Sequence, residues 1–134
     1  MSTTSTGTQA TDSRAVLKVA ATAAADKKAH RTVILEVGGV LGITDAFLIT
    51  SGSNDKQVRT IADAIERAVK EHSGSGPIRT EGLSDARWIL LDYGDFIVHV
   101  FLEETRQYYD LEHLWADVPR IEFPMQELGR AANA

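Results

Sequence analysis

Apolar residues recur at two spacings along the chain, and these spacings separate predicted helices from predicted strands. Intervals of three and four residues predict an alanine-rich helix over residues 12–29 and a strongly amphipathic helix over residues 55–71. Residues 105–115 carry a shorter pattern of the same kind, which predicts a last helix or pair of helical turns. The residues spaced to bury one face of it are Tyr108, Leu111, Leu114 and Trp115.

Between the helices lie β-branched and apolar runs bounded by glycine, proline and serine, which predict strands. The predicted strands cover residues 32–37, 43–50, 77–80, 88–93 and 96–101. Residues 38–42, three of them glycine, suit a hairpin connection between the first two. The order α-β-β-α-β-β-β-α predicts a single α/β domain in which a mixed β-sheet packs against flanking helices.

The strands at residues 88–93 and 96–101 flank Gly94-Asp95, which predicts a tight hairpin. If Tyr93 lies opposite Phe96, the pairs are Asp92–Ile97, Leu91–Val98, Leu90–His99, Ile89–Val100 and Trp88–Phe101. Because side chains alternate along a strand, the hairpin then has two faces. One is apolar, with Ile89, Leu91, Tyr93, Phe96, Val98 and Val100. The other carries Trp88, Leu90, Asp92, Ile97, His99 and Phe101.

The second hairpin face mixes large apolar groups with a carboxylate and an imidazole. An aromatic anchor with aliphatic neighbours and a few polar groups is typical of a protein-binding patch. The alternative is that both faces are buried and Trp88 belongs to the core. Asp92 favours the binding interpretation, since an unpaired carboxylate is costly in a dry core.

Length and composition agree with one globular domain: 134 residues, of which 43% are hydrophobic and 25% charged. Residues 1–11 are small and polar and predict a disordered tail, residues 12–117 form the ordered domain, and residues 118–134 predict a flexible tail in which Ile121 and Phe123 could dock. Neither a signal peptide nor a membrane-spanning run is recognisable, so we expect a cytoplasmic protein without a membrane partner.

Negative charge is concentrated in one segment of the chain. Residues 81–117 carry two arginines and nine acidic residues, a net charge of −7, whereas residues 1–80 carry +2. An acidic surface repels phosphate backbones and attracts a basic protein, so we expect no direct sequence-specific binding of nucleic acid. The alternative is that these acids only raise solubility.

The strongest candidate for chemistry is Gly52-Ser53, which lies between a predicted strand and a predicted helix. Backbone N–H groups at such a turn can hold a phosphate, and nucleotidyltransferases have a Gly-Ser there. They also need clustered carboxylates for magnesium, and the expected Asp-x-Asp pair downstream is missing. A helix cap explains Ser51-Gly52-Ser53-Asn54 without catalysis. We therefore expect no catalytic residue, cofactor or metal, and keep a nucleotide-binding or nucleotidyltransferase-like enzyme using Gly52-Ser53 as the alternative.

Several longer motifs follow one another through the predicted domain. They are Ala25-Asp26-Lys27-Lys28-Ala29, Ile43-Thr44-Asp45-Ala46-Phe47, Ser51-Gly52-Ser53, Gln57-Val58, Glu81-Gly82, Trp88-Ile89-Leu90-Leu91-Asp92-Tyr93-Gly94-Asp95, Val98-His99-Val100-Phe101 and Tyr108-Tyr109-Asp110-Leu111-Glu112-His113-Leu114-Trp115. In these motifs the chain resembles the ribosomal silencing factor family, also called the Iojap-like family.

The resemblance implies a nucleotidyltransferase-like α/β fold without the catalytic carboxylates. It also implies that the protein binds the large ribosomal subunit at that subunit's protein fourteen, blocks joining of the small subunit, and lowers translation when nutrients are scarce. Family members tend to form homodimers. The strand from Trp88 to Tyr93 and its neighbour would supply the contact residues: Trp88, Leu90, Asp92, Tyr93, Ile97, His99 and Phe101. An adaptor for an unrelated basic protein remains a further alternative.

Overall fold

The computed structural model describes the backbone of residues 2–121 and the side chains of residues 13–121. Its elements are α1 (Ser2–Asp26), β1 (His30–Glu36), α2 (Gly38–Leu41), β2 (Ala46–Gly52), α3 (Asp55–Ser73), β3 (Arg79–Glu81), β4 (Trp88–Asp92), β5 (Phe96–Leu102), α4 (Glu103–Tyr109), α5 (Leu111–Leu114) and β6 (Arg120–Ile121). The predicted α/β class with a mixed sheet and flanking helices is confirmed.

The strands form one six-stranded sheet in the order β3-β4-β5-β2-β1-β6. Neighbouring strands are antiparallel except β2 and β5, which run parallel in the middle of the sheet. The chain passes from β2 through α3 and the outer strands β3 and β4 before it returns as β5. This crossover explains why β2 is buried along its whole length, since both of its edges are paired and both of its faces are covered.

One face of the sheet, which we call the inner face, packs against α1 and α3. Its buried residues include Ile34, Leu48, Ile89, Leu91, Val98 and Val100. Helix α3 contributes the stripe that the sequence predicts, namely Val58, Ile61, Ala62, Ile65 and Val69. Helix α1 adds small residues such as Ala20, Ala21 and Ala24, all fully buried. Their short side chains let the helix lie close to its neighbours, and this layer forms the larger core.

The opposite face, which we call the outer face, has a smaller core. Its buried members are Leu35, Val37, Phe47, Ile49 and Phe101. Leu111 and Trp115, from the α5 region, pack against this cluster, as does Val118. The outer face is therefore covered mainly by two short helices and the chain that follows them.

The start of α3 is fixed by side chains at its first turn. The Asn54 side chain accepts a hydrogen bond from the Gln57 backbone N–H at 2.8 Å, which confirms the predicted cap cluster. The Gln57 side-chain oxygen in turn accepts from the Ser53 N–H at 2.7 Å. Its amide group donates to the carbonyl oxygens of Lys27 and Lys28. Gln57 thus ties the beginning of α3 to the end of α1.

Both chain ends differ from the sequence prediction. Helix α1 spans Ser2–Asp26 and takes in residues that the sequence placed in a disordered tail; no proline interrupts them, and a helix extends more easily than it nucleates. At the other end, Arg120 and Ile121 join the sheet: Ile34 pairs with Ile121, and the Glu36 N–H donates to the Pro119 carbonyl oxygen. Residues 122–134 of the predicted flexible tail, with Phe123, lie outside the described residues, as do the side chains of residues 1–12.

Of the two forms predicted for the last helical segment, the structure has the pair of short helices. Asp110 adopts a left-handed backbone conformation with φ 50°, which ends α4 and begins α5. The prediction that Tyr108, Leu111, Leu114 and Trp115 share one buried face is therefore wrong for two of them. Tyr108 is 82% exposed and Leu114 72% exposed, while Leu111 and Trp115 pack on the outer core.

Candidate binding surface

The hairpin of β4 and β5 has the register that the sequence predicts. All five predicted pairs are present, from Trp88 opposite Phe101 to Asp92 opposite Ile97. The Tyr93 N–H donates to the Phe96 carbonyl oxygen at 3.0 Å and closes the turn. Because the register is fixed, the division of side chains between the two hairpin faces is fixed as well.

Tyr93 lies apart from the other predicted contact residues. Like Ile89 and Leu91, it points to the inner side of the hairpin, where it packs against the larger core and stacks on Phe96 at a ring distance of 4.8 Å. Burial, and then the charge of Glu66, raise the pKa of Tyr93 to about 12. Tyr93 therefore lies on the apolar hairpin face, as the register predicts, and on the opposite face from Trp88. Its contact with a partner stays a prediction.

The six remaining predicted residues share the outer face, but they are not equally accessible. Trp88, Leu90, Asp92 and Ile97 are half-buried. We call these four residues the open patch. His99 is 4% exposed and Phe101 is fully buried, so neither is a free contact surface as the sequence suggested. They are covered because Phe47 and Trp88 lie against them, with ring distances of 4.7 Å for Phe47–His99 and 4.8 Å for Trp88–Phe101.

His99 is linked to the open patch through Trp88. The Trp88 indole N–H donates to Nδ1 of His99 at 3.0 Å. A ring nitrogen that accepts a hydrogen bond carries no proton, so the proton of the neutral ring is on Nε2. Burial lowers the pKa of His99 to about 4, which keeps the ring neutral near pH 7. Nε2 is buried and has no hydrogen-bond partner among the described residues.

Asp92 has a structural role within the patch. One of its oxygens accepts from the Gly94 N–H at 2.8 Å, which holds the hairpin turn. The other lies 3.6 Å from an Arg79 guanidinium nitrogen. As predicted, the Asp92 carboxylate does not lie in a dry core. Both of its oxygens, however, already contact groups of the protein itself.

A groove extends the open patch toward α4. Its lining residues are Arg87, Trp88, Glu104, Thr105, Tyr108 and Tyr109. The Tyr109 ring lies 4.9 Å from the Trp88 ring, and Tyr108 meets Tyr109 edge-on at 5.1 Å. The helical spacing predicted Tyr108 on a buried face and assigned no contact to Tyr109. Both are exposed, because α4 ends before Asp110 and does not continue the predicted stripe.

A buried arginine holds α4 and α5 on the sheet. The Arg106 side chain is 2% exposed and forms an ion pair with Glu112 at 2.8 Å. It also donates to the carbonyl oxygens of His30 and Arg31 and to the Ser51 hydroxyl. Burial would raise the pKa of Glu112, but the hydrogen bond and the charge of Arg106 outweigh burial and lower it. No spacing in the sequence marked Arg106, because most of its partners come from two distant parts of the chain, residues 30–31 and Ser51.

Six of the nine acids of the 81–117 segment are exposed, and three are half-buried with internal contacts, of which Asp92 is described above. Glu112 pairs with Arg106, and Glu103 pairs with Arg31 at 2.6 Å and accepts from the Ser51 hydroxyl. The exposed acids are Glu81, Asp85, Asp95, Glu104, Asp110 and Asp117. Exposed negative charge therefore predominates along this segment, as the charge distribution predicts, while the groove itself is lined by Arg87 as well as Glu104.

The Gly52-Ser53 turn is occupied by the protein itself. The Ser53 N–H donates to Gln57, and a side chain at Gly52 would meet Gln57 and Ile61 at 3.2 Å. These contacts favour the helix-cap interpretation over a phosphate cradle. Among the residues that the structure describes, no group of three or more histidines and carboxylates is placed to hold a metal ion. Within the same residues, no helix combines the length and apolar character that a membrane crossing requires.

Comparison with known proteins agrees with the motifs. The family described as "Ribosomal silencing factor during starvation" matches residues 10–134. A relative named ribosomal silencing factor RsfS from Halalkalibacterium halodurans is 44% identical over 107 residues, 80% of this chain and 91% of its own. The protein of the same name from Bacillus subtilis is 43% identical, over 79% of this chain and 89% of its own.

A solved structure has the same fold. The crystal structure of a protein from Bacillus halodurans superposes with a TM-score of 0.70 at 41% identity, covering 82% of this chain and 99% of that chain. With the family match over nearly the whole sequence, the resemblance inferred from the motifs is confirmed. The chain belongs to the ribosomal silencing factor family.

Proposed function

We propose that the protein binds the large ribosomal subunit through that subunit's protein fourteen and thereby blocks joining of the small subunit. Translation would then fall when nutrients are scarce. The family description, which names silencing during starvation, and the names of the relatives support a ribosomal role. The partner protein and the obstruction itself come from the family resemblance of the sequence motifs.

The observation that carries the proposal is the open patch with its adjoining groove. Trp88 is half-buried, so its ring is both accessible and held against Phe101 and Tyr109. Aromatic side chains fixed in this way lose little entropy on binding and dominate many interfaces. Leu90 and Ile97 add apolar area beside it. Tyr108 and Tyr109, 82% and 52% exposed, extend the aromatic surface on α4.

The charge around this surface selects the partner. Glu104 lines the groove together with Arg87, and the exposed Asp110 directly follows Tyr109. A basic ribosomal protein meets complementary charge there, whereas an RNA backbone is repelled. Charge of this kind acts mainly on the rate and specificity of association, while the aromatic groups supply most of the affinity.

The proposed mechanism is obstruction without catalysis. A folded domain seated at the subunit interface excludes the small subunit by overlap, so the effect depends on affinity and occupancy. The contacts that fill the Gly52-Ser53 turn agree with this interpretation. Isothermal titration with ATP, GTP and Mg²⁺ checks it: we expect no heat of binding, and saturable binding followed by nucleotide turnover would contradict a purely obstructive protein.

The proposal also covers the oligomeric state of the protein and its location in the cell. We expect the protein to form homodimers in the cytoplasm, as the family resemblance implies. Light scattering on the purified chain measures the first, and a fluorescent fusion the second. If the chain is strictly monomeric at micromolar concentration, the proposed dimer is wrong, but the proposed contact surface is unaffected.

The experiment that tests the function combines sedimentation with subunit joining. Purified large subunits are centrifuged with the chain, and small subunits are then added to measure joining. We expect the wild-type protein to sediment with large subunits and to reduce joining, whereas Leu90→Asp loses both effects. Val40→Asp is the matched control, because Val40 is 69% exposed on α2, outside the open patch. Normal joining at saturating wild-type protein would refute the obstruction.

A further inference from the structure

The hydrogen bond between Trp88 and His99 joins the open patch to a buried residue on the neighbouring strand. His99 lies opposite Leu90, and Trp88 lies opposite Phe101, so the two are diagonal neighbours on the outer face. Diagonal neighbours in an antiparallel pair are within reach of aromatic side chains. The distance of 3.0 Å from the indole nitrogen to Nδ1 is that of an ordinary N–H···N hydrogen bond.

The imidazole is held in place independently of Trp88. His99 is 4% exposed, the Phe47 ring meets it edge-on at 4.7 Å, and the Phe101 ring lies nearly parallel to it at 6.2 Å. Phe47 is itself a buried member of the outer core and contacts Trp115 at 5.7 Å. His99 is thus an acceptor whose position is set by the core rather than by the surface.

Trp88 needs such an acceptor to adopt one orientation. Its ring contacts with Phe101 at 4.8 Å and Tyr109 at 4.9 Å hold the plane of the indole, but they are contacts between rings and do not engage the N–H group, which donates to His99. The N–H group is the one directional feature of the indole. When the indole N–H points to His99, the accessible part of the Trp88 ring has no hydrogen-bond donor. A partner then meets only apolar ring edges and the π face.

We propose that His99 is a positioning residue that fixes the Trp88 indole in one orientation, with its N–H turned inward, for contact with the partner. The effect on ribosome binding rests on the proposed function above; the effect on the indole does not. Apolar groups and cationic side chains of a basic partner fit the surface that remains, because neither requires a donor from Trp88.

Two variants separate the hydrogen bond from packing. His99→Phe keeps a planar ring but removes the acceptor, and His99→Gln retains a side-chain oxygen that can accept. In a ¹H–¹⁵N spectrum, the indole signal lost in Trp88→Phe belongs to Trp88 rather than Trp115. We expect this signal to move upfield in proton shift and to exchange faster with solvent in His99→Phe, and to keep a bonded shift in His99→Gln. An unchanged Trp88 signal in His99→Phe would overturn the proposal.

A double-mutant cycle then tests the link to binding. We expect His99→Phe to weaken binding to large subunits about fivefold in the wild-type background and less than about twofold in Trp88→Phe. An equal loss in both backgrounds would show that His99 acts by packing alone and would refute the positioning role in binding. If wild-type protein fails to bind large subunits, the proposed function fails, while the indole spectrum still decides whether His99 orients Trp88.

Discussion

The two faces of the central sheet are formed by the same strands, but they differ in the side chains that they carry and in how far helices cover them. The inner face is mainly aliphatic, and two long helices, α1 and α3, cover most of it. The outer face is rich in aromatic rings and carries His99 and Arg106, and the short helices α4 and α5 leave part of it open. The two faces therefore have different roles. The inner face stabilises the fold through apolar burial, and the outer face presents side chains whose orientation depends on polar contacts.

The largest expected effect tests the polar half of this comparison. Arg106→Met keeps much of the side-chain volume but leaves Glu112, Ser51 and two carbonyl oxygens without their partner. Glu112 is half-buried, but Arg106 donates four hydrogen bonds from a buried position, and their loss costs about 4 kcal/mol of unfolding free energy. Urea denaturation measures this loss. A loss below about 1 kcal/mol would mean that α4 and α5 are held by their apolar contacts.

The next effect separates neighbouring residues on the two faces of one strand. Leu91 is fully buried on the inner face, whereas Leu90 is half-buried in the open patch. We expect Leu91→Ala to lower the unfolding free energy by about 3 kcal/mol and Leu90→Ala by about 1 kcal/mol. The order should reverse for large-subunit binding by folded protein. Equal losses of stability in urea would break the distinction between the faces.

Low pH is expected to destabilise the folded protein through His99 on the outer face. His99 has a pKa of about 4 in the folded protein, below the ordinary value of 6.5, so protonation favours the unfolded chain. Its contribution is fully present above pH 6.5 and is lost as pH falls toward 4, by about 2 to 3 kcal/mol in total. Urea denaturation at several pH values between 7 and 5 measures the slope, which His99→Gln should flatten. An identical slope in both proteins would contradict this interpretation.

The smallest expected effect concerns the charge around the groove. Raising salt from low to about 0.5 M should weaken binding to large subunits about threefold to tenfold, since exposed charges are screened while aromatic contacts are not. Glu104→Gln, which removes a groove carboxylate, should reduce this salt dependence. Binding that is insensitive to salt would restrict the acidic segment to a role in solubility.

Most of the fold follows from local patterns. The amphipathic stripe predicts α3, and Gly94-Asp95 with alternating neighbours predicts the hairpin register pair by pair. The errors occur where a single residue or a distant contact decides. The left-handed backbone of Asp110 splits the last helix, and pairing with β1 draws Arg120–Ile121 into the sheet. Neither has a periodic signature.

The candidate site was predicted less completely than the fold. Alternation correctly separates Trp88, Leu90, Asp92 and Ile97 from the inner face, but alternation does not tell how far a face is covered. That depends on Phe47, which comes from a distant strand and lies against both His99 and Trp115. The same limitation hides the groove beside Tyr109, because the groove exists only when Arg106 holds α4 on the sheet.

The most direct test of the account is the affinity of Trp88→Ala for purified large subunits. Truncation of a central interface aromatic is expected to cost about 2 kcal/mol of binding free energy, which corresponds to a roughly 30-fold larger dissociation constant. Val40→Ala, an exposed apolar residue on α2, should bind like the wild type. If folded Trp88→Ala binds large subunits as tightly as the Val40→Ala control, the open patch is not the contact surface and the outer face has no such role.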